Sequence, residues 1–297
     1  MLYGEKQTLI AFLISAAISL LLGLLPKLFL KPKTHVIYAK EGFIIVAFTW
    51  IMLSLVGAVP LVLAGAVTSY ADAFFEIVSG FTTTGSSVIP DVEVLSHGAL
   101  FWRSFTHWVG GMGIIVFVMA ILPNVSERPI HILRAEIPGP TVGKLVPRIK
   151  DTALILYLIY IVMTVIETVM LLFGGMSFFE SLLHTFGTAG TGGFGLKRDS
   201  LASYSPYIQW VITAFMILFG VNFNLYYLML LKKFKAVVTS TELWAYFGII
   251  LSSAALIAWN IRHLFGGLEQ TVRTAAFQVA SVISTTGYAT ADFNLWP

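Results

Sequence analysis

The hydrophobic positions of this sequence gather into long runs that short polar stretches separate. A helix that spans a bilayer needs about 20 apolar residues, which gives it a length of about 30 Å. Six runs reach that length, at 8–30, 41–65, 100–122, 152–174, 207–231 and 243–261. Three shorter apolar segments lie between them, at 72–82, 178–189 and 272–284. A helix of about 12 residues reaches only about 18 Å, so these segments are predicted to be re-entrant or interfacial.

Composition supports a membrane protein and removes several kinds of chemistry. Of the 297 residues, 57% are apolar and only 11% are charged, which is too little charge to cover the surface of a soluble domain. The chain contains no cysteine, so disulfides, thiolate metal sites and cysteine nucleophiles are excluded. We therefore expect an all-α polytopic membrane protein whose first partner is the lipid bilayer.

The distribution of Lys and Arg predicts the orientation of the chain. Basic residues cluster in the loops that follow the first, third and fifth spans, and the positive-inside rule places these loops in the cytoplasm. All three short segments then enter the membrane from the outer side. The basic residues concerned are Lys27, Lys31, Lys33, Lys40, Arg128, Arg134, Lys144, Arg148, Lys150, Lys232, Lys233 and Lys235.

A sequence motif repeats at the short segments. Residues 75–86 read FEIVSGFTTTGS and residues 277–288 read FQVASVISTTGY, and both contain Phe, then Ser four residues later, then Thr-Thr-Gly. Residues 182–194 read LLHTFGTAGTGGF, a looser copy that keeps the Thr-Gly. A single Thr-Thr-Gly is a common turn sequence, but three copies after three short apolar helices favour one shared role. The repeating unit is a span, a short helix, a Thr-Gly loop and a span.

Such a unit suits a cation. A short helix that enters from outside directs its C-terminal end, about −0.5 elementary charge, toward the middle of the membrane. The glycine that follows tolerates positive φ, which lets successive carbonyl groups point the same way and replace the hydration shell of an ion. Start signals for the short helices are also present. Asp72 is predicted to be an N-cap, and Ser177 with Glu180 fits a capping box.

In these motifs the chain resembles the Trk-type potassium uptake proteins, relatives of the Ktr and fungal Trk transporters. ADAFFEIVSGFTTTGSS (71–87) resembles the first pore helix and filter of that family, and HWVGGMGIIVFVMAILP (107–123) resembles its second span. RAEIPGP (134–140) resembles the start of its cytoplasmic linker, while GTGGF (190–194) and STTGYATADFNLWP (284–297) resemble filters two and three. The resemblance implies repeated helix–pore-helix–helix units around a pseudo-fourfold pore axis, incomplete here.

The resemblance also implies a function and the residues for it. The function is potassium transport across the bacterial inner or plasma membrane through backbone carbonyls, with potassium as the substrate and no tightly bound cofactor. The filter glycines would be Gly85, Gly192 and Gly287, and glycine at the first of these favours potassium over sodium. The carbonyls that coordinate the ion would be those of Thr83, Thr84, Gly190, Thr191, Thr285 and Thr286. The implied partners are a second copy, in a homodimer, and a cytoplasmic nucleotide-binding regulatory subunit; none is a nucleic acid.

The domain organisation follows from the same resemblance. It divides the chain into an N-terminal transmembrane helix with its cytoplasmic loop (1–40), pore repeat 1 (41–122), a cytoplasmic linker (123–151), pore repeat 2 (152–231) and partial pore repeat 3 (232–297). The family has four repeats, whereas this chain stops at Pro297, just after the third filter. One helix precedes repeat 1, where Trk-type members usually have two. We therefore expect a fragment or a truncated gene that offers three of four filter walls.

Four ionisable residues near the membrane segments have simpler interpretations. Glu76 and Glu180 are expected near the outer ends of their short helices, within reach of water, with structural or mild cation-attracting roles. Arg103 is expected to snorkel from an outer helix end, and His107 to anchor a span at the interface. In the same span, Gly110, Gly111 and Gly113 suit close helix packing.

Three other classes of protein compete with a potassium pore. An intramembrane enzyme would need paired acid–base groups or a metal cluster, and the sequence contains no HExxH, GxSxG or His/Asp pair, so no enzymatic activity is expected. A carrier with re-entrant loops for another cation would use similar elements. A membrane-embedded fragment that does not conduct would share every motif. The sequence also leaves open whether transport is passive or coupled to protons or sodium.

Overall fold

The computed structural model describes residues 3–29, 39–113 and 149–297, and within these ranges the chain is helical with no β-strand. The predicted all-α class is therefore confirmed. The α-helices of these ranges are α1 Lys6–Phe29, α2 Ala39–Leu63, α3 Tyr70–Phe81, α4 His97–Gly111, α5 Ile149–Phe173, α6 Phe178–Ala189, α7 Pro206–Phe219, α8 Phe223–Leu230, α9 Phe234–Val238, α10 Thr241–Ile261 and α11 Leu268–Ile283. A 3-10 helix, Phe293–Leu295, follows α11.

The long helices match the predicted spans, with one difference. In the part of the chain that the structure describes, α1, α2, α5 and α10 are long and apolar enough to cross a membrane. The predicted span 207–231 consists instead of α7 and α8, which meet at an angle of 86°. The bend arises because α7 ends at the C-cap Gly220 and the side chain of Asn222 caps the new helix α8. The predicted span 100–122 begins within α4, and residues 114–122 lie outside the described residues.

The three short segments form the helices α3, α6 and α11, at nearly the predicted positions. The predicted capping box is present in α6, because the side chain of Ser177 accepts from the backbone N–H of Glu180 and the Glu180 carboxylate accepts from the backbone N–H of Ser177. The predicted N-cap Asp72 is wrong. Helix α3 begins after Ser69, and Asp72 lies inside its first turn, where a carboxylate still favours the positive helix end.

Each short helix packs on the long helix before it, which gives α2–α3, α5–α6 and α10–α11 pairs. Neighbouring units meet through two further contacts, α4 with α6 and α7 with α11. The three units therefore follow one another around a common centre, and the C-terminal ends of α3, α6 and α11 approach that centre. Helix α1 lies outside this arrangement, against α2 and α4.

Burial follows the same arrangement. One core cluster joins residues of α5, α6, α7 and α11, and a second joins residues of α2, α3 and α4. Large apolar side chains of the long helices are exposed, as expected for surfaces that face lipid. Residues 123–148 of the predicted linker lie outside the described residues. The basic residues predicted to be cytoplasmic in 31–33 and 128–148 lie outside them as well.

Candidate functional site

The loops after α3, α6 and α11 share one unusual backbone conformation. The second residue after each helix is a threonine at positive φ, with values of 53° at Thr83, 52° at Thr191 and 61° at Thr285. Positive φ is rare for a β-branched residue and costs about 1–3 kcal/mol, so it marks a loop that its surroundings hold in place. A glycine at positive φ follows two residues later in every loop, and these glycines are Gly85, Gly193 and Gly287.

Backbone hydrogen bonds give the three loops the same geometry. The N–H of each of these threonines donates to the carbonyl three residues earlier, at 3.0–3.1 Å. The next N–H donates to the carbonyl five residues earlier, and all three of these bonds measure 2.9 Å. The equivalent triplets are Thr83-Thr84-Gly85, Thr191-Gly192-Gly193 and Thr285-Thr286-Gly287.

This equivalence differs from the expected one by a single residue in the second copy. Gly192 was expected to match Gly85 and Gly287, but Gly193 has the matching conformation. Gly190, expected among the coordinating residues, is the C-cap of α6 and corresponds to Thr82 and Ser284. The second copy misled the sequence comparison because it contains two successive glycines.

The three loops touch one another in order. A Cβ added at Gly85 would overlap the carbonyl oxygen of Gly192, and a Cβ added at Gly193 would overlap the carbonyl oxygen of Thr286. Glycine is therefore required at both positions by close packing as well as by φ. A Cβ at Gly287 would meet no atom of the described residues within 4 Å. Loops 1, 2 and 3, defined as residues 82–88, 190–196 and 284–290, thus form three consecutive sides of a ring that is open beside Gly287.

A cavity lies on each side of this ring. The inner cavity has a volume of about 510 Å³, and its lining includes Thr83, Thr191 and Thr285 together with the bend between α7 and α8. The outer cavity has a volume of about 290 Å³, and its lining includes Gly85 and Gly193. Three residues in each of loops 1 and 2 therefore separate the two cavities.

Basic side chains line the outer cavity, and each has a partner that offsets its charge or fixes its position. Arg198 forms an ion pair with Asp91, and the hydrogen bond from Arg198 lowers the pKa of that carboxyl. Lys197 donates to the hydroxyl of Ser203 at 3.1 Å and lies 4.2 Å from the ring centre of Tyr204. A cation that approaches the ring thus meets few unbalanced positive charges.

Arg103 is the third basic residue of the outer cavity, and the prediction that it snorkels is wrong. It does not snorkel to water, because it is only 2% exposed and forms an ion pair with Glu76, which is completely buried. The expectation that water reaches Glu76 is therefore also wrong. Helix α4 carries Arg103 on the face that packs against α3, and Glu76 lies in the middle of α3, so the two side chains meet inside the protein.

Helix α4 fills the space between loops 1 and 2. A Cβ at Gly110 would overlap the carbonyl oxygen of Phe81, and one at Gly111 would lie 2.6 Å from the Cα of Gly190. The expected role of these glycines in close packing is confirmed, although they pack against the ends of the short helices. His107 is not an interfacial anchor. Its buried ring lies against Gly192 and stacks on Phe194 with ring centres 4.0 Å apart.

Two aromatic residues that directly follow the loop glycines were missed by the sequence analysis. Phe194 follows Gly193 and approaches Gly80 of α3, and Tyr288 follows Gly287 and packs on Gly187 of α6. The hydroxyl of Tyr288 donates to the carbonyl oxygens of His184 and Phe194, both at 3.3 Å. Each aromatic residue thus reaches back to the preceding unit, and the shared Gly-aromatic dipeptide in copies 2 and 3 was the available signal.

The fold and this site define a class of protein: a multi-pass membrane protein in which three short helices bring three loops to one centre, with a cavity on each side of loops 1 and 2. Comparison with known proteins narrows the class. Residues 8–248 match the family model "TrkH: Cation transport protein". The chain belongs to the TrkH family of cation transport proteins.

Relatives of known name agree with this assignment. The Trk system potassium uptake protein TrkH of Escherichia coli K12 is 35% identical over 87% of this chain and 55% of its own length. TrkG of the same organism is 30% identical over 100% of this chain and 62% of its own length. The crystal structure of the potassium transporter TrkH from Vibrio parahaemolyticus matches 97% of this chain and 60% of that chain, with a TM-score of 0.83 and 29% identity. The chain spans about half to three fifths of the length of these relatives.

Proposed function

We propose that this chain forms the pathway of a potassium uptake system and that the ion passes through the ring formed by loops 1, 2 and 3. The observation that carries the proposal is the position of the triplets of loops 1 and 2, which lie between an outer cavity and an inner one, with Thr285 of the third triplet in the lining of the inner cavity. An ion that moves between these cavities passes the backbone of the triplets. The coordinating carbonyls would be those of Thr83, Thr84, Thr191, Gly192, Thr285 and Thr286, with Gly85, Gly193 and Gly287 as the filter glycines.

Electrostatics and the named relatives support potassium as the ion. The C-terminal ends of α3, α6 and α11 place partial negative charge next to the triplets, which favours a cation. The triplets themselves consist only of Thr and Gly, so a dehydrated ion would be held by neutral oxygen atoms, as in selectivity filters. The relatives are named as potassium uptake proteins, and a likeness to them supports the same substrate here.

The predicted domains and partners belong to this proposal. Pore repeats at 41–122 and 152–231 and a partial repeat at 232–297 would each contribute one loop to the ring. The word "system" in the names of the relatives supports an assembly of several components. We propose a homodimer with a cytoplasmic nucleotide-binding regulatory subunit, and we expect no enzymatic activity and no tightly bound cofactor.

A second candidate follows from the open side of the ring. Because a Cβ added at Gly287 would meet no atom of the described residues within 4 Å, the described part of the chain would hold an ion from three sides only. A membrane-embedded chain that binds potassium but does not conduct it would have this geometry. A carrier for another cation receives no specific support from the site.

The test is to reconstitute the purified 297-residue chain in liposomes and to measure potassium and sodium influx against empty liposomes. We expect potassium flux to exceed sodium flux. In parallel, thermal unfolding in detergent should show a higher melting temperature in potassium than in sodium, since a bound ion stabilises the folded state. A potassium-specific thermal shift without flux would favour the non-conducting candidate. The absence of both a potassium flux and a thermal shift would overturn the proposal.

A further inference from the structure

A buried ion pair behind the ring connects α4 to α3. The Nε and one terminal nitrogen of Arg103 lie 2.7 Å and 2.6 Å from the same carboxylate oxygen of Glu76. Both residues are almost completely enclosed, with exposures of 2% and 0%. Buried charges are tolerated when they are paired and fully hydrogen-bonded. The other partners of this ion pair belong to loops 1 and 2.

On one side, the pair holds the outer end of loop 1. The hydroxyl of Ser87 donates to both carboxylate oxygens of Glu76, at 2.9 Å and 3.1 Å, and accepts from Arg103 at 3.2 Å. The backbone N–H of Val88 donates to Glu76 at 3.1 Å. Ser87 is two residues after Gly85, so four hydrogen bonds connect the end of the first triplet to two buried charges.

On the other side, the pair contacts loop 2. The guanidinium carbon of Arg103 lies 4.2 Å from the ring centre of Phe194, which directly follows Gly193. A cation over an aromatic face is attracted to it, and more strongly when water is excluded. His107 stacks on the same ring, so α4 holds Phe194 with two side chains one turn apart. The ion pair therefore contacts the outer ends of loops 1 and 2. These are the two loops that meet where Gly85 lies against the carbonyl group of Gly192.

We propose that Arg103 and Glu76 are positioning residues that fix the spacing of loops 1 and 2 and thereby set the preference for potassium over sodium. The inference rests on the proposed function. A ring of carbonyls discriminates between two ions of different radius only if its width is held, and here the width depends on how far Ser87 and Phe194 stand apart. The two charges cancel, so they supply rigid contacts without an unbalanced charge beside the ion.

The experiment measures the ratio of potassium to sodium flux in liposomes for Arg103→Gln, Glu76→Gln, the double variant and Ser87→Ala. We expect each charge-removing single variant to lower the ratio about tenfold, because its partner is left unpaired, and the neutral double variant to recover most of the loss, as coupled residues do. Ser87→Ala keeps both charges and removes only the contact with loop 1, so it should lower the ratio by about threefold. The control is Glu5→Gln, which removes a carboxylate where α1 meets the start of α4, far from the ring, and should leave the ratio unchanged.

A second readout separates this inference from the proposed function. Hydrogen exchange of the peptide that covers residues 82–90 reports how firmly loop 1 is held without any measurement of flux. We expect faster exchange in Arg103→Gln and Ser87→Ala than in Glu5→Gln. A wild-type chain with no preference for potassium would overturn the proposed function. Wild-type preference that persists in all the variants, or unchanged exchange in Arg103→Gln and Ser87→Ala, would overturn the positioning role. If the charge variants do not fold, Ser87→Ala decides the matter alone.

Discussion

Gly85 and Gly287 have the same backbone conformation and opposite surroundings. Their φ values are 75° and 86°, and both close a triplet that begins with a threonine at positive φ. Gly85 is enclosed by the carbonyl of loop 2, whereas Gly287 faces open space in the part of the chain that the structure describes. The conformation is thus a local property of each helix end and its loop. Enclosure is a property of the neighbouring unit, so the same substitution at the two positions should have different consequences.

The largest effect is expected at the enclosed position. We expect Gly85→Ser to abolish most of the preference for potassium and to lower the stability of the protein. The serine costs about 1–2 kcal/mol at positive φ, and its Cβ overlaps the Gly192 carbonyl, which adds about 1–3 kcal/mol of overpacking. The measurements are the potassium-to-sodium flux ratio and the melting temperature.

The matched control for this variant is Gly175→Ser. Gly175 lies between α5 and α6 at a φ of 89°, and a Cβ added there would meet no described atom within 4 Å, so it reports the backbone cost alone. We expect a modest loss of melting temperature and an unchanged flux ratio. Equal ratios for the two variants would contradict the contact between loops 1 and 2.

The next effect concerns the helix between the enclosed loops. Gly110→Ala should lower the free energy of unfolding by about 1–3 kcal/mol and widen the ring, because the new methyl group meets the carbonyl oxygen of Phe81, which cannot rotate away. Gly248→Ala, on α10 with open space around it, should be neutral or slightly stabilising, since alanine favours helix. Thermal unfolding of the two variants side by side measures the difference. Similar melting temperatures would mean that α4 does not support loop 1.

A smaller effect is expected at the open position. Gly287→Ala should cost only the backbone strain of about 1–2 kcal/mol, so its loss of stability should match that of Gly175→Ala. Melting temperatures of both variants provide the measurement. A loss at Gly287 as large as that of Gly85→Ala would contradict the comparison. It would mean that residues other than the described ones pack against Gly287 and close the ring there.

The sequence predicted the elements that are determined locally. The long apolar runs 8–30, 41–65, 152–174 and 243–261, the short segments 72–82, 178–189 and 272–284, and the Thr-Gly repeats correspond to helices and loops within a few residues. The ion-binding role of the repeats stays a prediction. The register of the second loop was missed because two backbone hydrogen bonds at the helix end, which the sequence motif does not show, decide which glycine is equivalent.

The sequence could not predict contacts made between distant segments. Arg103 was assigned to water because an arginine near a helix end usually snorkels, and nothing in its local sequence shows that Glu76 lies 27 positions away on the packed face of α3. His107 was predicted to lie at the interface because it begins a span beside Trp108, whereas it is buried, with its ring where a side chain at position 192 would lie. The carboxylate of Glu76 thus explains the burial of Arg103, and the absence of a side chain at Gly192 explains the burial of His107.

The smallest effect is expected far from the ring, where α1 meets the start of α4. Glu5 accepts from the backbone N–H groups of His97 and Gly98, at 2.8 Å and 3.1 Å, at the positive end of α4. Partial burial opposes ionisation of Glu5, but these hydrogen bonds outweigh it and lower its pKa. The carboxylate therefore stabilises the protein, by about 0.3–1 kcal/mol, above the ordinary carboxyl range of about pH 4.3, and this contribution disappears as the pH falls through the lowered pKa. Glu5→Gln should reduce the difference in melting temperature between pH 7 and pH 4; an unchanged difference would show that other carboxylates cause it.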